Sequence, residues 1–126
     1  MSQSLRITFL VHAIVALLLG LPLLAAPGRW LTLLNWAPID PLASRMLGAS
    51  ILALAWGSLR AYRAKEWSEV ELLVEVEAAF TTLAAVGLLR HLLVGSWPWV
   101  PWAIFVITAV FAIIWIYQLI QHNRTG

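Results

Sequence analysis

Four stretches of this chain, at about residues 5–26, 42–62, 69–94 and 99–120, are long and apolar enough to cross a lipid bilayer, and only short pieces separate them. A bilayer core about 30 Å thick is spanned by about 20 apolar residues of helix. Lipid offers backbone amides no hydrogen-bond partners, so such a stretch must satisfy its own and be helical. The expected fold is all-α, a four-transmembrane-helix bundle with short loops, with residues 1–126 forming one integral membrane domain. Composition supports this. Of 126 residues, 62% are hydrophobic and 11% charged, where soluble domains run at about 45–50% and about 25%. A soluble chain of this size could not bury so much apolar surface. The net charge is only +2, and no run of Lys or Arg is long enough to track phosphates, which argues against a nucleic-acid partner.

Punctuation between the stretches shapes the expected bundle. The first is longer than the roughly 7–15 apolar residues of a signal peptide, and Pro27 directly after Ala25-Ala26 makes a poor cleavage site, so it reads as a retained helix. Pro22 removes a backbone donor and predicts a kink near its end. Residues 27–41 are too short to span. Trp30, Leu31, Leu33, Leu34 and Trp36 predict a segment lying in the interface. Ala49, Ala53 and Gly57 recur every four residues, a small-residue stripe suited to close helix packing. Ser68 is placed to cap the third helix, with Glu69 and Glu71 at its positive end. Gly95-Ser96-Trp97-Pro98 stops that helix. The fourth is apolar all round, as the most lipid-exposed helix would be. Trp97, Trp99 and Trp102 mark one interface, and Trp115 and Tyr117 the other. The tail from His122 is expected to be mobile.

With four spans, Arg6, Arg60, Arg63, Lys65 and Arg124 fall on one side and Arg29, Arg45 and Arg90 on the other. The positive-inside rule then places both termini in the cytoplasm, and a bacterial inner membrane is the expected location.

Ionisable groups within spans are costly and are the default functional candidates. Glu71 and Glu75 lie one turn apart on one face, which continues through Ala78, Thr82 and Ala85 and is expected to look into the bundle. Two readings are open for these acids. Arg60 or Arg63 could clamp Glu71 or Glu75 across a hairpin. Alternatively, a carboxylate carries a proton or binds a cation. His12, Trp56, Glu75 and Trp115 lie at similar depth, and a cavity lined by them would offer an acid, an imidazole and aromatic walls. His12 could equally bond a neighbouring helix. On the far side, Arg29, Arg45, Arg90 and His91 are candidate contacts for lipid phosphates or anions, with Asp40 the sole acid there.

No cysteine is present, and the nucleophile, zinc-protease and phosphate-loop motifs are absent. Serines 44, 50, 58 and 96 have no nearby His expected to serve as base. No metal site is expected, since no two histidines are four apart. No cofactor is expected either; haem or a chlorophyll-type pigment needs one buried imidazole, and His12 or His91 is where it would attach.

Pro27-Gly28-Arg29, Arg45-x-x-Gly48, AWGSLRAYRAKEW at 55–67, VGLLRHLL at 86–93 and the Pro98 turn together resemble the small uncharacterised bacterial four-helix membrane proteins classed as domains of unknown function. The likeness covers nearly the whole chain and implies a compact four-helix fold, with no assigned reaction. Small multidrug transporters are similarly short and also four-span. Their key glutamate is in the first helix, where this chain has His12, and its acids sit in the third. The sequence therefore points to a membrane protein without enzymatic activity, either an accessory subunit or a lipophile-binding bundle in contact with lipid. It would act as a homo-oligomer or within a larger complex. The competing expectation is an oligomeric proton-linked transporter using Glu75 and His12.

Overall fold

The structure, a computed structural model, describes residues 1–34 and 40–125. Among these are five α-helices and no strand: α1 (Gln3–Ala25), α2 (Pro27–Leu34), α3 (Pro41–Tyr62), α4 (Glu71–Leu93) and α5 (Trp99–Thr125). The chain is all-α, and every helix except α2 is long and apolar enough to cross a membrane. Its backbone packs as two compact units, residues 6–63 and residues 1–5 with 64–126.

In the 6–63 unit, α1 runs through Pro22 to Ala25. One residue, Ala26, links it to α2, with the Ala26 amide donating to the Pro22 carbonyl at 2.9 Å. Proline at the first position of α2 costs nothing, because that N–H has no helical acceptor. The 8-residue α2 buries Pro27 and Leu31 and leaves Arg29, Thr32 and Leu33 exposed. This one-sidedness fits the expected interfacial segment; Trp36 lies outside the described residues. Asp40 turns out to be a cap: its carboxylate accepts from the Ala43 amide at 3.1 Å, and Pro41 opens α3.

The backbones of α1 and α3 meet where Gly20 faces Gly48. A Cβ built on Gly48 would lie 2.7 Å from the Leu24 nitrogen and 2.9 Å from the Gly20 oxygen. The buried face of α3 is Gly48, Ala55, Ser58 and Ala61. The expected stripe is not on it: Ala49 and Ala53 are exposed and Gly57 is half-buried. Small residues line both faces of this helix, and the partner's shape chooses between them.

In the other unit, residues 64–70 form a tight connector. The Lys65 amide donates to the Glu69 carboxylate at 2.9 Å, and Trp67–Glu69 make one 3-10 turn. That turn takes up Ser68, so Val70, not Ser68, precedes α4, and no side chain caps it. Helices α4 and α5 pack along each other. Their buried faces are Val74, Glu77, Ala78, Thr81 and Leu92 on α4, and Val100, Phe111, Ala112, Trp115 and Gln118 on α5.

Two expectations about α5 are corrected. The helix does not end near Ile120 but continues to Thr125. Its 27 residues are longer than a hydrocarbon core needs, and His122 and Arg124 in the last turn suit the negative end of the helix. Nor is α5 the most exposed helix; α3 is, burying 17% of its apolar window against 22% for α5. An evenly apolar helix can pack on any side, whereas α3 carries arginines at both ends that must stay outside.

Candidate functional site

The 6–63 unit holds a buried polar pair. His12 on α1 and Ser58 on α3 share a hydrogen bond, Nδ1 to Oγ 2.9 Å, with both side chains buried. The sequence leaves Ser58 without a base, because 46 residues separate it from His12. Folding brings them together because Ser58 stands on the small-residue face of α3, between Ala55 and Ala61. A Ser–His pair is the beginning of nucleophile chemistry. Here Ser58 is 0% exposed, and its bond to His12 ties α1 to α3. Such ties within a membrane contribute about 0.6 kcal/mol on average. A double-mutant cycle with His12→Ala and Ser58→Ala is expected to give coupling of that order in detergent unfolding. Coupling indistinguishable from zero would remove the tie.

Helices α1 and α3 also form a partly open groove of about 330 Å³. Ala13 and Ala55 make its floor, being too short to fill the space between the helices. Ile14 and Leu17 wall one side, and Trp56 and Leu59 the other. All four wall residues are exposed, Trp56 at 65%. Trp56 was expected in a buried cavity with His12. It is instead an outer wall, because the face running Arg45, Ala49, Trp56, Arg60 and Arg63 turns outward. At the end of α3, Trp56 and Leu59 also line a smaller cavity of about 170 Å³ whose other walls are Arg60 and Arg63. Both arginines are exposed. Among the described residues of this unit, neither guanidinium has a hydrogen-bond or ion-pair partner. Arg29 on α2 and Arg45 on α3 are exposed as well.

The acids of α4 lie in the other unit. Glu75 is exposed and Glu71 half-buried, so their face does not look inward; Glu77 does, at 0% exposure. Two residues turn a helix by roughly 200°, which is why burying Val74, Glu77, Ala78 and Thr81 expels Glu75. The Thr81 hydroxyl donates back to the Glu77 carbonyl at 2.7 Å, the usual way such a side chain satisfies itself within a helix. Trp115 is fully buried and is not an interfacial marker; Tyr117 is exposed. Gln118 donates to the Ser4 hydroxyl at 3.0 Å. Beside it, His122 stacks on Trp67 with ring centres 4.4 Å apart. At the opposite end of α4, Arg90 and His91 are exposed and border a shallow open hollow with Gly87 and Val94. The His91 ring leans against Trp97 at 4.4 Å.

Sequence reasoning passed over Gln118, set Ser58 aside for want of a nearby His, and turned Glu77 away from the bundle interior, where the structure buries it. A signal existed for two of them. Ser58 falls in the 55–58–61 register of small residues, and Glu77 lies one turn before Thr81, a polar couple on one face. Comparisons with family models, with curated proteins and with solved structures find no match for this chain.

Proposed function

We propose that this protein is a lipophile-binding helical bundle without enzymatic activity, acting alone or as an accessory subunit of a larger membrane assembly. Its location would be a bacterial inner membrane, with both termini cytoplasmic. The supporting observation is the α1/α3 groove: apolar, floored by two alanines and walled by an exposed tryptophan. Its volume lies in the range of about 300–1,000 Å³ typical of small-molecule sites. Burial of Ser58 and His12 supports a binding role over nucleophilic catalysis. The five-to-three distribution of Lys and Arg supports the orientation.

The test is native mass spectrometry of the full chain, extracted gently with its own lipids. The wild type is expected to carry a lipid-sized extra mass. Ala13→Leu, which fills the floor, is expected to lose it while keeping its melting temperature within a few degrees. A bare wild-type protomer, or release only with a larger protein, would replace ligand binding by a purely structural subunit role.

A further inference from the structure

The groove and the basic cavity at its end share two walls, Trp56 and Leu59. They adjoin in the 6–63 unit, the groove lined by apolar side chains and the cavity beside it by two arginines. Between Arg45 and Arg60, α3 carries no charge, so Arg60 is the first cation met on leaving the apolar stretch in that direction. It stands in the last turn of α3, and Arg63 follows at its C-cap. They are three positions apart, so their side chains rise from one face of the helix end. A guanidinium offers a planar fork of donors that matches phosphate oxygens in pairs. Two exposed forks without a partner in their own unit, at the mouth of an acyl-sized apolar groove, complement one kind of molecule. It is anionic at one end and apolar at the other.

We infer that Arg60 and Arg63 hold the phosphate of an anionic glycerophospholipid whose acyl chain lies in the α1/α3 groove over Ala13 and Ala55. This inference rests on the lipophile-binding reading and adds to it a headgroup preference. Trp56 serves both halves. It lines both the groove and the basic cavity, one turn before Arg60, and tryptophan is favoured near the headgroup level. No covalent step is involved; the selectivity is electrostatic and geometric.

The experiment uses the full chain in detergent with an equimolar mixture of phosphatidylglycerol and phosphatidylcholine of identical acyl chains, read by native mass spectrometry. Wild type is expected to retain phosphatidylglycerol over phosphatidylcholine by roughly ten- to thirtyfold, since each basic side chain near an anionic lipid is worth about fivefold and the two multiply. R60Q/R63Q is expected to retain both lipids about equally, and R45Q to keep the preference. R60K/R63K, which keeps charge but not the fork, is expected to fall between. An unchanged preference in R60Q/R63Q would overturn the inference. So would a drop in the melting temperature of R60Q that Glu75→Arg combined with Arg60→Glu restores, because the guanidinium would then serve an ion pair. Retention of both lipids equally by wild type would refute the headgroup assignment and leave the groove reading standing. No lipid on wild type, or a lipid-free dimer, would refute both.

Discussion

Gly48→Leu is expected to keep the α1–α3 hairpin from closing and to leave the protein poorly extractable in folded form. The added Cβ alone would meet the Leu24 nitrogen at 2.7 Å, the Gly20 oxygen at 2.9 Å and the Leu23 carbonyl carbon at 3.0 Å. All three are backbone atoms, which cannot rotate aside as a side chain can. Even Gly48→Ala must push the helices apart, at a cost of about 1–3 kcal/mol, typical of overpacking. Gly20→Ala should be milder: two of its three nearest atoms, on Leu52 and Ile51, belong to side chains, at 3.0 and 3.1 Å. In lipid there is no hydrophobic driving force between helices, so close backbone contact is a main source of their association. Unfolding in detergent should rank the variants wild type, Gly20→Ala, Gly48→Ala, Gly48→Leu in falling stability. A Gly48→Ala protein as stable as wild type would disprove the close crossing.

Trp115→Ala is expected to be the most damaging truncation in the 64–126 unit. Trp115 is 0% exposed on the face of α5 that also buries Phe111, Ala112 and Gln118. In soluble proteins such a change costs about 3–5 kcal/mol, part for transfer from water and part for the cavity left behind. A helix surrounded by lipid loses little of the first part and all of the second, so about 3 kcal/mol is expected here. Trp56→Ala is the internal control. With 65% of its surface exposed, Trp56 supports little packing, and its removal should change stability by under about 1 kcal/mol while weakening lipid retention in the groove. Equal destabilisation by the two changes would refute the assignment of one as core and the other as groove wall.

Whether each stretch would be a helix was legible from the chain alone, because lipid forces any apolar run of that length to bond its own backbone. The stops were legible too, since proline and glycine act on their immediate neighbours, whereas the Asp40 cap at the start of α3 was not read from the chain. Local reasoning failed where two local signals competed. Ser68 could cap a helix, but the connector used its residues for a 3-10 turn and bound the Glu69 carboxylate to the Lys65 amide instead. The polar end of the chain reads as a loose tail, yet α5 extends through it to Thr125.

Rotation of each helix about its own axis was not legible, and the candidate site depends on it. Helices α1, α4 and α5 are apolar on nearly every side. Hydropathy therefore does not distinguish Glu75 from Glu77, though one is exposed and the other buried. Nor does any spacing rule join His12 to Ser58, or Gly20 to Gly48. Those pairings follow from shape, in that two helices settle where their smallest residues allow the backbones closest, and every other side chain is carried to whichever face remains. Helix, span and cap are short-range properties of a chain in lipid, written residue by residue. The groove, its basic mouth and the buried acid arise from long-range packing, which depends on both partners at once.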